Sequence, residues 1–229
     1  MTPHPTFTFF NLHISSHGLL FAVAAEVSGL MLYARVRQCG LDATKVWLLT
    51  VSCFLAGLIG ARLLFAALYW DQVGSFSELV RIWHGGLVSY GGIIAGTVAA
   101  LVVLRGEKVP RWAEAVVPVL LVGWGIGRLG NFFAGDSVGV ATPLFAATYG
   151  RVPIQLMETA LCWSLAAFFW RRPYSVWLMA ALYFGGRAVI DLWRDEPAVA
   201  GIHPSSGASV ALFIICLFWY VLGTSRTSV

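Results

Sequence analysis

Seven apolar segments, each about as long as a bilayer is thick, leave this 229-residue chain few folds to choose from. They run over residues 14–34, 46–69, 88–104, 112–133, 154–170, 174–193 and 207–223. Roughly 17 to 25 apolar residues take a helix across a membrane, where only bonds inside the segment can satisfy its backbone. Charged residues make up 11% of the chain, against about a quarter in a soluble domain. The expectation is an all-α polytopic membrane protein of seven transmembrane helices. It is a single domain over 1–229, because no polar stretch is large enough to fold apart from the spans.

Lys and Arg in short loops set the orientation of such a chain. Arg35, Arg37, Lys45, Arg105, Lys108, Arg111, Arg171, Arg172 and Arg226 fall on one side, and only Arg81, Arg151 and Arg194 on the other. This predicts the N-terminus outside and the C-terminus in the cytoplasm. Residues 1–17 hold no Lys or Arg, so a cleavable signal peptide is not expected. Thr2 stands where myristoylation needs a glycine, and no prenylatable cysteine ends the chain. Cys39, Cys53, Cys162 and Cys216 are scattered singly, which supports neither a disulfide framework nor a metal site. Hydrolase, zinc-helix and nucleotide-loop motifs are missing, and nothing points to nucleic acid.

The most unusual stretch runs from Gly123 to Asp136. Four glycines in eight residues thin the helix so that backbones or a ligand can come close. Arg128 and Asn131 are set into it three residues apart, on one face. A guanidinium near hydrocarbon needs a partner, and the commonest anion at that depth is a lipid phosphate; the bland alternative is an arginine that snorkels to the surface. Gly92-x-x-x-Gly96 and Gly123-x-x-x-Gly127 read as helix-packing faces.

Other charges also lie within spans: Glu26, Arg62, Glu158, and Arg187 with Asp191. All but Glu26 fall toward the outer half, so Arg62, Arg128 and Arg187 could surround one outward-facing site. Arg62 could instead pair with Glu158 or Glu26, since intramembrane charges often pair with each other. Glu26 is a buried protonated acid or a structural partner. Arg187, Asp191 and Arg194 share one helical face. There Asp191 can hold Arg187 in a fixed pose and leave its other N–H groups for a phosphate. For Arg194, beside Asp195 and Glu196, a helix-end ion pair in water is the simpler reading. His17, His84 and Tyr90 could carry protons at the outer surface, against an interfacial anchor for Tyr90 and an ordinary interfacial histidine for His17.

Taken together, these stretches resemble the prolipoprotein diacylglyceryl transferase family over nearly the whole chain. Gly127-Arg128-Leu129-Gly130-Asn131-Phe132-Phe133-Ala134-Gly135-Asp136-Ser137-Val138-Gly139 is similar to the family's Gly-Arg-x-Gly-Asn-Phe-x-Asn-Gly-Glu-x-x-Gly. Trp83 to Gly92, Pro153 to Glu158 and Gly186 to Arg194 resemble three further family segments in the right order. The resemblance implies transfer of a diacylglyceryl group from phosphatidylglycerol to the lipobox cysteine of a prolipoprotein, with release of glycerol phosphate. It implies a site facing outward from the bacterial inner membrane, and no cofactor. Arg128 and Arg187 would hold the phosphate, with Asn131 orienting the headgroup and Asp136 positioning the site. Arg62, Gln155, Glu158, Asp191 and Arg194 would join them in binding substrate.

This chain departs from the family at several points. Tyr90 stands where the family has its active-site His, and His17 where the family has a Tyr. The imidazole and phenol would thus have exchanged places, leaving His17 or Tyr90 to carry the proton. The signature Glu is shortened to Asp136, its second Asn is Ala134, and the loop before Pro153 is short. The alternative is a same-fold paralogue that binds phosphatidylglycerol without catalysis or modifies a different acceptor.

Overall fold

The structure, a computed structural model, describes residues 6–9, 12–82, 85–136, 138–143, 150–170, 175–196 and 204–225, with the side chains of residues 6–17, Ser89, Pro204, Thr224 and Ser225 outside the description. The chain divides into two units, Met1–Ser28 with Ala113–Val229 and Gly29–Trp112. Helices stand at all seven expected segments: α1 (Ser16–Gln38), α2 (Lys45–Leu68), α5 (Ser89–Val103), α6 (Val109–Ala134), α7 (Ile154–Phe169), α8 (Val176–Ile190) and α9 (Pro204–Ser225). Five of them are long and apolar enough to cross a membrane; the apolar helices Tyr90–Val103 and Ile154–Phe169 are shorter. At 1.5 Å per residue, α5 and α7 reach about 22 to 24 Å, short of the roughly 30 Å hydrocarbon core. One addition to the all-helical expectation is a hairpin, β1 (Thr6–Phe9) paired antiparallel with β2 (Leu12–Ser15) in the register Thr6↔Ser15. Its alternating Thr and Phe suit a pleated surface, but four residues per strand give too short a pattern to stand out beside the long apolar runs.

In the unit Gly29–Trp112, α2 and α5 pack through glycines. A Cβ built on Gly91 would lie 2.2 Å from Gly60 O, and one on Gly60 2.5 Å from Gly91 O. Gly92 and Gly96 continue the seam against the carbonyls of Gly57 and Cys53, as the spacing of Gly92 and Gly96 predicts. Two short helices, α3 (Trp70–Val73) and α4 (Phe76–Val80), occupy the connection between them. Gly74 ends α3 in the left-handed conformation, and the Ser75 hydroxyl caps α4 by accepting from Glu78 N at 3.3 Å.

At the other end of this unit, Lys45 pairs with Glu107, and the Trp112 indole donates to the same carboxylate at 3.3 Å. The hydrogen bond from Lys45, then that from Trp112, hold the Glu107 carboxyl below the usual carboxylate range. A lowered acid stabilises the fold above its unfolded pKa, and that contribution is lost as pH falls through the lowered value. Acidification below about pH 4 should therefore weaken this link. Glu107→Gln should abolish that part of the acid sensitivity in thermal scans between neutral and acidic buffer.

In the other unit, Leu121, Cys162, Ala166, Phe169 and Met179 form one core among α6, α7 and α8. A second, of Val152, Ile154 and Ile190, lies at the start of α7. Gly125 lets Trp163 come close, a Cβ there lying 2.4 Å from the indole nitrogen, and Gly186 admits Leu161 in the same way. Gly123 packs against Ser28 of α1, whereas among the described residues nothing lies within 4 Å of a Cβ on Gly127. Only the first glycine of that predicted packing pair is therefore used for packing. Glu26, read as a buried acid or structural partner, is exposed on α1.

Candidate functional site

Three helices bring their polar residues together at one end of this unit. Arg128 comes from the last turns of α6, Glu158 from the second turn of α7, and Arg187 from the last turn of α8. A 3-10 turn, Asp191–Trp193, continues α8 and carries Asp191 inward to 1% exposure.

Glu158 is the hub and is wholly buried. Its Oε1 accepts from Arg187 Nη1 at 2.7 Å, from Tyr183 OH at 2.9 Å and from Trp124 Nε1 at 2.9 Å. Its Oε2 lies 2.9 Å from Arg128 Nε and 3.8 Å from Arg194 Nη2. Asp191 is the second anchor. Its Oδ1 accepts from Arg194 Nε at 2.7 Å, its Oδ2 accepts from the Ser209 hydroxyl of α9 at 2.8 Å, and Arg187 Nε stands 3.6 Å from Oδ2.

Arginines in such a setting persist only when paired, and three guanidiniums face two carboxylates. One positive charge is in excess. Among the described residues, Arg128 Nη2 and Arg194 Nη2 are buried without a hydrogen-bond partner, as is Glu158 Oε2. Arg187 commits Nη1 to Glu158 and Nε to Asp191, and Nη2 makes no hydrogen bond among the described residues. The cluster can therefore take up one anion with several oxygens, gripped by N–H groups from different helices.

The Arg194 reading changes with the structure. The expectation was an ion pair in water, but the side chain is 9% exposed and turned onto Asp191. A patch of extended backbone turns it. Val140 N donates to Trp193 O at 2.8 Å, Asp195 N to Val138 O at 3.2 Å, and Val152 N to Val140 O at 3.1 Å. The bridges Gly139↔Arg194 and Ala141↔Arg151 thus stitch residues 138–142, 151–152 and 193–195 together. Gly139 is required there, since a Cβ would lie 2.4 Å from Val152 O and 3.0 Å from Trp193 O. Arg151 closes the edge by pairing with Asp195 at 2.6 Å.

The remaining candidates fall in different places. Gln155 is buried and donates from Nε2 to Asp136 O at 2.6 Å, while Asp136 itself is exposed. Asn131 lies in the last turn of α6, where its carbonyl accepts from Asp136 N at 2.9 Å. In the unit Gly29–Trp112, Tyr90 begins α5 and is 62% exposed. Arg62 in that unit is buried and bonded to backbone carbonyls of residues 78–86. His17 lies in the first turn of α1 with its side chain outside the described residues, and Trp83 and His84 lie outside them altogether. Sequence reasoning missed Tyr183 and Trp124. Each stands four residues before a predicted arginine, Arg187 and Arg128, and the same-face spacing was the signal available for both.

A family model described as prolipoprotein diacylglyceryl transferase matches residues 5–222. The phosphatidylglycerol–prolipoprotein diacylglyceryl transferase of Synechococcus elongatus is 36% identical over 148 residues, 62% of this chain and 51% of that protein. The protein of the same name from Trichormus variabilis is 34% identical over 147 residues, 61% and 50% of the two chains. That of Listeria welshimeri is 27% identical over 135 residues, 58% and 49%. The chain spans about half the length of the curated relatives it matches.

Proposed function

Because the chain belongs to the prolipoprotein diacylglyceryl transferase family, we propose that it moves a diacylglyceryl group from phosphatidylglycerol to a cysteine thiol of a prolipoprotein. The observation that carries this reading is the buried excess of positive charge beside Glu158, with unpartnered N–H groups on Arg128 and Arg194. A phosphate diester held there would have its developing negative charge stabilised as glycerol phosphate departs. The new bond joins the thiol sulfur to the glyceryl carbon, the carbon–oxygen bond to phosphate breaks, and the thiol proton passes to a base. Only the thiolate is nucleophilic enough for this step, and we assign its proton to His17 or Tyr90.

Arg128 and Arg187 hold the phosphate in this scheme, Arg194 joins them, and Asp191 keeps the latter two in place. Asn131 orients the headgroup, and Gln155 with Asp136 shapes the approach. The chain is an integral membrane protein by its helices and its family. We read it as one transmembrane domain with seven spans, N-terminus outside and C-terminus in the cytoplasm. The Lys and Arg bias of the loops supports this topology, which turns the Arg128 end of α6 outward.

Purified protein mixed with phosphatidylglycerol and a lipobox peptide tests the reading. Glycerol phosphate release should require the peptide cysteine, and Arg128→Ala should lower it by about 100-fold or more. Arg128→Lys keeps a charge but loses the planar fork, and should recover little. Donor binding with no release would instead identify a phosphatidylglycerol-binding relative, and hydrolysis without transfer a different acceptor.

A further inference from the structure

Arg62 sits on α2 at 6% exposure, and a cation so placed ordinarily meets a carboxylate. Here its fork is filled by neutral backbone. Nε donates to Leu79 O at 3.1 Å, Nη1 to Gly85 O at 2.5 Å and Gly86 O at 3.0 Å, and Nη2 to Glu78 O at 2.5 Å. The guanidinium faces carbonyl oxygens, a setting that disfavours a phosphate.

What it holds is the approach to α5. Gly85 and Gly86 are both left-handed, with φ of 86° and 78°. Gly86 rests on the Phe65 ring so closely that a Cβ would come within 2.5 Å of it. That ring lies one turn along α2 from Arg62, whose guanidinium carbon is 5.6 Å from its centroid. Val88 N then donates to Ala61 O at 3.1 Å. Residues 61, 62 and 65 of α2 thus form one seat for residues 85–88, and Tyr90 follows two residues later. The Tyr90 side chain is exposed and makes no hydrogen bond among the described residues, so the backbone beneath it decides where the phenol stands.

We propose that Arg62 is a positioning residue: it fixes the Gly85–Tyr90 backbone, and through it the phenol of Tyr90, instead of gripping the substrate anion. This rests on the reading of Tyr90 as a proton carrier in the transfer reaction. A lysine has one compact ammonium and cannot reproduce the planar fork that reaches four carbonyls.

The test uses the full-length protein in detergent with Arg62→Lys, Arg62→Met, Tyr90→Phe and the Arg62→Lys/Tyr90→Phe pair. Hydrogen exchange in a peptide over residues 85–91 should quicken about tenfold or more in Arg62→Met, as the loop opens locally. In Arg62→Lys, kcat for transfer should fall by up to about 100-fold, the scale of a misplaced catalytic group, with KM for phosphatidylglycerol unchanged. Adding Arg62→Lys to Tyr90→Phe should lower kcat little further, since the two act in series.

A raised KM with unchanged kcat and unchanged exchange would make Arg62 a substrate ligand and overturn the proposal. Full additivity of the two substitutions would also overturn it, leaving a general loss of stability as the cause. If the unaltered protein shows no transfer, the proposed function fails, and exchange over residues 85–91 still judges the clamp on its own. Unchanged exchange in Arg62→Met would then reject it.

Discussion

Glu158→Gln should lower the thermal midpoint of the purified protein by on the order of 10 °C, more than any other single change to the charged cluster. The neutral amide keeps the shape of the side chain but leaves Arg128, Arg187 and Arg194 with Asp191 as their only carboxylate. Removing one partner of a buried ion pair costs about 3–5 kcal/mol, and in a chain of this size each kcal/mol moves the midpoint by about 2–4 °C. Tyr183 and Trp124 would also face an oxygen that carries less charge. Arg187→Met removes one cation, so combined with Glu158→Gln it returns the cluster to the single excess positive charge of the starting protein and should lose less than the sum of the two changes. Thermal scans of the four proteins decide this. A Glu158→Gln midpoint within a degree or two of the starting protein would mean that the carboxylate does not hold the cluster together.

Gly91→Ala should separate α2 from α5. The added methyl would stand 2.2 Å from Gly60 O and 2.6 Å from Leu64 Cβ, and a helix backbone cannot turn aside as a flexible side chain can. Overpacking typically costs about 1–3 kcal/mol, and more is expected here because the obstacle is a carbonyl on the facing helix. Gly127→Ala provides the contrast, since it also adds a methyl to a helical glycine but meets nothing within 4 Å among the described residues. Its stability should be unchanged or slightly raised, as alanine favours the helix. Monodisperse yield by size-exclusion chromatography, with the thermal midpoint, should fall for Gly91→Ala alone. Equal behaviour of the two variants would show that the glycine seam does not set the α2–α5 distance.

The positions of the seven long helices were legible because hydrocarbon permits only a coarse pattern, a long apolar run ended by charge or proline. Within the cluster, Arg128, Glu158, Arg187 and Asp191 could be named because each is a charge inside an apolar run. Of their partnerships, the sequence spacing named that of Arg187 with Asp191, four residues apart on one helix, but not those made between helices. Which oxygen of Glu158 meets which guanidinium depends on crossings between helices, and spacing along one helix is silent on that. Arg194 was misread because its neighbours in sequence, Asp195 and Glu196, suggested water, whereas bonds from Val138 and Val140 turn it inward. Arg62 was legible as a buried cation but not as a holder of backbone, because carbonyls leave no mark in a sequence.

The patch that joins residues 138–142, 151–152 and 193–195 has a consequence for how this protein can be altered. Thr142 N donates to Gly150 O at 2.7 Å, which ties these two residues together at the edge of the patch. A tag, an epitope or an entire small domain spliced between Thr142 and Gly150 should leave the arginine cluster undisturbed, so the protein should tolerate lengthening at this point without loss of stability.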